Sequence, residues 1–186
     1  MNRVVITGMG IYSCIGLNKD EVLESLRQGR SGITYDAERK DFGYRSALVG
    51  LVPRPDLKGH LDRRARIMLP EEGEFAYIAT KEAFTQAGIT PEILKDKECG
   101  IIFGNDSTVK AVYDSIELVK QKKDTTLLGS GAIFQSMNST VNMNLSTIFA
   151  LKGVNFTLSA ACASGSHSIG IGYLLIKQGL QKMVLC

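Results

Sequence analysis

The sequence is poor in the residues that metal centres and disulfide frameworks need. It has two histidines and four cysteines among 186 residues. No two cysteines form a Cys-x-x-Cys pair, and none has ligand-like spacing to His60 or His167; the four are Cys14, Cys99, Cys162 and Cys186. Since zinc sites and disulfide frameworks require such spacings, we expect neither of them here.

Long apolar runs are also missing. The N-terminus lacks the apolar core of a signal peptide, and no apolar stretch in the chain is long enough to span a bilayer. We therefore expect a cytoplasmic protein with reduced cysteines and no membrane association.

Charge of one sign is not concentrated in any long segment. The formal net charge is +3, and Lys and Arg are scattered along the chain, which argues against a nucleic-acid partner. The densest positive cluster is Arg63, Arg64 and Arg66, and a solvated or dimer-facing charge run is its simplest interpretation. Hydrophobic residues make up 44% of the chain, enough for the core of one domain that spans residues 1–186.

A dinucleotide fingerprint is absent, although two glycines suggest one. Gly8 and Gly10 follow a β-branched run, but the third glycine of a G-x-G-x-x-G pattern would fall where the chain has Ser13. We reject a nucleotide-binding site here and expect no cofactor. Close packing between a turn and a helix explains the two glycines better.

The sequence does contain an alternation of strand and helix patterns. Strands are predicted at 3–7, 99–103, 154–158 and 182–186, and helices around 22–26 and at 74–87, 109–119, 141–151 and 165–178. Residues 29–59 are expected to be irregular, with short extended pieces such as 46–49. The helix at 74–87 should end at Gly88, and its apolar face is assigned to Phe75, Ile78, Ala79 and Phe84. This order predicts an α/β fold, a sheet with helices on both faces.

One stretch, Thr157-Leu-Ser-Ala-Ala-Cys-Ala-Ser-Gly-Ser-His167, places Cys162 where a predicted strand becomes a predicted helix. Free N–H groups and the dipole at a helix start favour an anion, so we expect this thiol to have a lowered pKa. Its small neighbours let a carbonyl approach the sulfur and leave backbone N–H groups free to stabilise an oxyanion. The pattern indicates a nucleophile. A buried, inert cysteine is the alternative, and spacing alone supports it equally.

The segment from Ser159 to His167 resembles the active-site segment of the β-ketoacyl-acyl carrier protein synthases. Three further stretches are similar to that family in the same order: Arg3-Val-Val-Ile-Thr-Gly-Met-Gly-Ile11, Leu26-Arg-Gln-Gly-Arg-Ser-Gly-Ile33 and Gly153-Val-Asn-Phe-Thr157. The likeness is strongest to synthase I of dissociated fatty-acid synthesis. It covers essentially all 186 residues.

The resemblance implies the N-terminal half of a thiolase-like fold, with a mixed sheet, ending before the C-terminal half. It also implies a 3-oxoacyl-[acyl-carrier-protein] synthase of fatty-acid or related polyketide or polyene biosynthesis. In that family a cysteine, here Cys162, accepts an acyl group from a thioester. A malonyl thioester then loses carbon dioxide, and its carbanion displaces the acyl group.

The resemblance further implies a homodimer and an acyl carrier protein as partner, which the arginine cluster would suit. The family takes two catalytic histidines and an accessory lysine from its C-terminal half. We therefore expect residues 1–186 alone to lack condensing activity.

The likeness is weakest after the strand at 99–103. Family members commonly carry small or glycine residues there, near the acyl pocket, whereas this chain has Asn105, Asp106 and Ser107. The family's counterpart of 127–144 reaches towards the partner's acyl pocket. Candidates for substrate contact are therefore Ser107, Phe134 and Met137, although ordinary core packing explains the last two equally well.

Two other classes of protein share this fold. A thiolase has its nucleophilic cysteine much nearer the N-terminus and in a different local motif, so the position of Cys162 disfavours it. A non-catalytic ketosynthase-like partner, of the chain-length-factor type, lacks the nucleophile. The presence of Cys162 disfavours that class as well, although a scaffolding role for an isolated half stays open.

Overall fold

The chain folds around a three-stranded parallel sheet, described in a computed structural model for residues 2–186. The strands are β1 Ile33–Tyr35, β2 Leu48–Gly50, β3 Cys99–Gly104, β4 Asn155–Leu158 and β5 Met183–Leu185. The helices are α1 Lys19–Arg27, α2 Ala37–Asp41, α3 Arg63–Met68, α4 Glu71–Ala87, α5 Pro91–Asp96, α6 Val109–Lys122, α7 Gly131–Gln135, α8 Thr140–Ile148 and α9 Ser164–Lys177.

Strand β3 is the centre of the sheet. Its parallel neighbours are β4, where Ile101 lies opposite Asn155, and β5, where Cys99 lies opposite Met183. The apolar run from Cys99 to Ile102 is buried throughout, as is typical of a parallel strand covered on both faces. Helices connect the strands in the chain, which confirms the expected α/β order.

Helices cover both faces of the sheet, as the sequence predicts. On one face Ile101 packs into a core cluster with Tyr77 of α4 and with Val141 and Leu145 of α8. Alternation along the strand turns Gly104 to the opposite face, against the start of α9. Within residues 2–186 this sheet is parallel throughout rather than mixed, and the antiparallel ladder is the separate hairpin of β1 and β2.

Helix α8 is fixed to the sheet by a buried amide as well as by apolar packing. The side-chain nitrogen of Asn142 donates to the carbonyls of Ile101 and Phe156, and the Thr157 hydroxyl donates to Asn142 Oδ1 at 2.8 Å. Because a buried amide without partners is destabilising, these bonds specify the position of α8 over β3 and β4.

The long helix α4 confirms the predicted helix at 74–87, with a start three residues earlier. Gly88 ends it at φ +65°, in the left-handed conformation that glycine adopts without strain. The predicted apolar face is wrong in part, because only Phe84 of its four members is buried; the buried side chains of the helix include Ala76, Tyr77 and Thr80. Phe75 instead stacks on Tyr12, at a ring distance of 5.5 Å.

The N-terminal run differs from its predicted strand. Residues 2–12 form no ladder, and Val5 and Ile6 are 59% and 84% exposed. A cleft of about 830 Å³ lies between this segment and β5, so that the segment has no strand beside it to pair with. Gly8 and Gly10 pack against the backbone of α4, the close approach that the sequence suggests for them.

The remaining predictions differ only in detail. Residues 29–59 contain the hairpin and α2, of which only the piece near 46–49 was predicted. The predicted strands at 99–103, 154–158 and 182–186 are confirmed as β3, β4 and β5, and the predicted helices at 109–119, 141–151 and 165–178 as α6, α8 and α9. Helices α3, α5 and α7 are not among the predicted elements. None of the helices among residues 2–186 combines the length and apolar character needed to cross a bilayer.

Gly104 gives a test of the contact between β3 and α9. A Cβ at this position would lie 2.4 Å from the Ser164 carbonyl carbon and 2.5 Å from the Gly165 nitrogen. We predict that Gly104→Ala destabilises the protein by roughly 1–3 kcal/mol, because backbone has to move to admit the methyl group.

Urea unfolding measures this effect, and Gly170→Ala in α9 is the matched control. Gly170 has nothing within 4 Å of its added methyl group, so that change should stabilise the helix by roughly 0.5–1 kcal/mol. Equal unfolding midpoints for the two variants would show that the contact is loose.

Candidate active site

Cys162 lies in a short turn at the edge of the sheet. Strand β4 ends at Leu158, a 3₁₀ turn spans Ala161–Ala163, and α9 begins at Ser164. The predicted position between a strand and a helix is therefore confirmed. Cys162 is exposed within residues 2–186, which disfavours the alternative of a buried, inert thiol.

The residue before the cysteine has an unusual backbone conformation. Ala161 has φ +48°, in the left-handed region that costs an L-residue about 1–2 kcal/mol. Ser164 compensates in part, because its hydroxyl accepts from the Ala160 N–H at 2.8 Å and donates to the Ala161 carbonyl at 2.7 Å. Ser164, the first residue of α9, thus links the turn to the helix.

Asp106, which follows β3, holds the same turn from the other side. Its Oδ1 accepts from the Ser159 hydroxyl at 2.5 Å and from the Ala161 N–H at 3.0 Å. These two bonds, the hydroxyl first, hold the pKa of the Asp106 carboxyl below its usual range, so the group is ionised at neutral pH. The turn is therefore fixed by a carboxylate in addition to Ser164.

The backbone N–H of Cys162 is left over for a ligand. The N–H groups of Ala160 and Ala161 bond to Ser164 and Asp106, and that of Ala163 donates to the Ala160 carbonyl. Within residues 2–186 no acceptor is found for the N–H of Cys162. A donor on the nucleophilic residue itself is well placed to stabilise the oxyanion that forms when its sulfur attacks a carbonyl.

The other three cysteines have different surroundings. Cys99 is buried in β3, and burial raises the pKa of its thiol to about 11. Cys186 is exposed as a residue, but its sulfur lies against Gly172 of α9, and desolvation likewise raises its pKa to about 11. The Cys14 sulfur packs against Gly32 and Gly50. Since the thiolate is the reactive form, Cys162 is the strongest candidate for a nucleophile.

Neither of the two histidines is part of the turn that contains Cys162. His60 precedes α3, and its Nδ1 is 3.1 Å from Lys81 Nζ. His167 is exposed on α9, three residues after the helix starts at Ser164, whereas Cys162 lies in the turn before it. Among residues 2–186 there is also no group of three His, Cys, Asp or Glu side chains that fits a metal ion.

The predicted substrate residues occupy neighbouring segments. Ser107 is exposed next to Asp106, and Phe134 and Met137 are partly exposed in and after α7. Two hydrogen bonds join these segments: Asn105 Nδ2 donates to the Asn138 carbonyl, and Thr108 Oγ1 donates to the Ser136 carbonyl. The large cleft near the N-terminus is lined by Ser166 but not by Cys162. Contact of Ser107, Phe134 and Met137 with substrate stays a prediction.

The sequence analysis missed Asp106 and Ser164 as residues of the site. In the sequence, Asp106 stands out only as a departure from the family's small residues. A usable signal was present, because polar residues directly after a parallel strand share the carboxyl edge of the sheet with the turn after β4.

Comparison with known proteins agrees with this geometry. The profile described as "Beta-ketoacyl synthase, N-terminal domain" matches residues 1–186. The 3-oxoacyl-[acyl-carrier-protein] synthase 1 of Escherichia coli (strain K12) is 36% identical over 186 residues, which are 99% of this chain and 46% of that protein. This chain thus spans about half the length of the curated relatives it matches.

Two solved structures share the fold. A β-ketoacyl synthase from Burkholderia phymatum STM815 superposes with a TM-score of 0.81 at 28% identity, over 97% of this chain and 45% of that one. The ishigamide ketosynthase/chain length factor gives a TM-score of 0.87 at 23% identity, over 98% and 46%. The fold is that of the thiolase-like ketosynthases, and the chain belongs to the β-ketoacyl synthase family, whose N-terminal domain it matches along its whole length.

Proposed function

We propose that the full-length protein, with residues 1–186 as its N-terminal ketosynthase domain, is a 3-oxoacyl-[acyl-carrier-protein] synthase with Cys162 as its nucleophile. The observation that carries this proposal is an exposed cysteine, with a free N–H of its own, in a braced turn at the start of α9. The name of the Escherichia coli relative supports both the reaction and an acyl carrier protein as partner. Action in the cytoplasm stays a prediction.

The reaction has two stages. The Cys162 thiolate attacks the thioester carbonyl, and the resulting oxyanion accepts a hydrogen bond from the Cys162 N–H. The carbonyl then re-forms, the carrier leaves as its thiolate, and the acyl group stays on Cys162. A malonyl thioester then loses carbon dioxide. The resulting enolate attacks the acyl carbonyl, forms the new carbon–carbon bond and releases the Cys162 thiolate with a 3-oxoacyl thioester.

We assign the acyl chain to residues in the segments beside the turn and the carrier protein to the arginine cluster of α3. Ser107, Phe134 and Met137 are the proposed acyl-chain contacts, in the segments that hydrogen bonds join beside Asp106. Arg63 and Arg64 are exposed at the start of α3 and suit an acidic carrier protein, whereas Arg66 is half-buried. The pathway stays open between fatty-acid and related polyketide or polyene synthesis.

The proposed homodimer has two supports in the described residues. Strand β4 pairs with β3 along one edge only, and Phe156 on it is 45% exposed. Helices α6 and α7 contact each other and expose apolar side chains, among them Val112, Tyr113 and Ile133. A free strand edge and exposed apolar surface are both features of an association surface.

We predict that an acyl donor modifies Cys162 and no other cysteine. Incubation of the full-length protein with an acyl-carrier protein thioester, followed by mass spectrometry of its peptides, should place the acyl group on Cys162. Cys162→Ala should lower condensation by about 1,000-fold or more, because the covalent intermediate is lost. Cys14→Ala is the control and should keep its activity. Adducts on Cys14 or Cys99 with Cys162 unmodified would end the assignment.

We predict that the full-length protein sediments as a dimer at micromolar concentration. Phe156→Glu should shift the equilibrium towards monomer, because a charge would be buried at the edge of β4. Leu26→Lys on α1, at a residue that is at least as exposed, is the control and should stay dimeric. A strict monomer for the unmodified protein contradicts the proposal.

We predict that residues 1–186 alone release no carbon dioxide from malonyl-carrier protein, whereas the full-length protein does. The enolate of the malonyl thioester needs positioned donors, and neither His60 beside Lys81 nor His167 on α9 matches the family's catalytic histidines. Full-length Cys162→Ala is the control, because it cannot hold an acyl group and so reports carbon dioxide release without condensation. Condensation by residues 1–186 at the full-length rate would show that the catalytic donors have been misplaced.

A further inference from the structure

We propose that Asp106 is a positioning residue for the nucleophile: its carboxylate holds Ala161 in the left-handed conformation that presents the sulfur and N–H of Cys162 to the substrate. This inference rests on the proposed function. It concerns a position at which the chain departs from the small residues that its family commonly has after this strand.

The contacts of Asp106 are specific to the turn. Oδ1 accepts from Ser159 and Ala161, which lie 53 and 55 residues along the chain. Asp106 itself comes two residues after the end of β3, which is parallel to β4, so the two segments meet at one edge of the sheet. The carboxylate thus bridges the loop after one strand to the turn after its neighbour.

The need for such a bridge comes from the backbone of Ala161. Its φ of +48° is unfavourable for alanine, and its N–H donates to the side chain of Asp106 rather than to a backbone carbonyl. A carboxylate acceptor forms a stronger bond to a backbone N–H than a neutral group does. Asp106 therefore stabilises the conformation that alanine disfavours, at the residue directly before the nucleophile.

Asp106 should affect the orientation of the Cys162 N–H during catalysis rather than the binding of the substrate. The Cys162 N–H is fixed in direction by the peptide that joins it to Ala161, so a rotation at Ala161 turns this donor away from the oxyanion. A misplaced donor weakens the transition state more than the bound substrate. Loss of Asp106 should accordingly lower kcat and leave KM for the acyl donor nearly unchanged.

The test uses the full-length protein and its acyl-transfer rate. Asp106→Ala is expected to lower kcat by at least about tenfold, within the range for a misaligned oxyanion donor, with KM changed by less than about twofold. Asp106→Asn keeps an acceptor oxygen at the same place and should retain most of the rate. Asp124→Ala is the matched control, because Asp124 also accepts from a hydroxyl and a backbone N–H, both of Thr126, in the loop after α6.

A second variant shows whether Asp106→Ala lowers kcat because the turn at Ala161 loses its conformation or because the protein loses structure in general. Glycine adopts positive φ without strain, so Ala161→Gly in the Asp106→Ala background should restore kcat by at least about threefold. If Asp106→Ala keeps the kcat of the Asp124→Ala control, or if glycine at 161 restores nothing to an impaired Asp106→Ala, the proposal is overturned.

Hydrogen exchange keeps this inference distinct from the proposed function. The amide of Ala161 should exchange at least about tenfold faster in Asp106→Ala than in Asp124→Ala, because its acceptor is gone. That readout needs no substrate. A protein that forms no acyl-enzyme refutes the function but leaves the exchange test standing, whereas unchanged exchange at Ala161 refutes the role of Asp106.

Discussion

The close contact between the end of β3 and the start of α9 is the constraint on which the site depends. Gly104 leaves no room for a side chain against the backbone of Ser164 and Gly165. This contact places the first turn of α9 over the carboxyl edge of the sheet. The nucleophile turn then has to connect β4 to that fixed helix within five residues, 159 to 163. A short connection between two fixed elements explains why one residue, Ala161, has a strained backbone.

Three polar side chains with specific hydrogen-bond partners fix the elements around the turn. Asn142 sets α8 against β3 and β4 from the opposite face, and Ser164 and Asp106 hold the turn itself. Each of these three side chains forms at least one hydrogen bond to the backbone. Ser164 and Asp106 therefore fix the backbone directly before Cys162 without contacting its sulfur.

The same arrangement leaves apolar surface uncovered. Val5 and Ile6 face a cleft beside β5, and Phe156 lies on the unpaired edge of β4. These side chains belong to segments for which the sequence predicts strands. Local pattern identifies a residue that suits burial, but burial itself requires a partner surface. Among residues 2–186, that surface is present for β3 and is absent beside the N-terminal segment.

The sequence by itself determined the local elements and the position of Cys162 in a turn between strand and helix. The spacing of apolar residues identifies α4, α6, α9 and β3, and Gly88 marks the end of α4. The small residues around Cys162 indicate an accessible nucleophile between strand and helix. Each of these signals depends only on residues that are neighbours in the chain. Only the tertiary structure decided which face of α4 is buried, that residues 3–7 pair with no strand, and that Asp106 bonds to Ala161. Those outcomes depend on contacts between residues many positions apart, and no local pattern records which distant backbone group a carboxylate will meet.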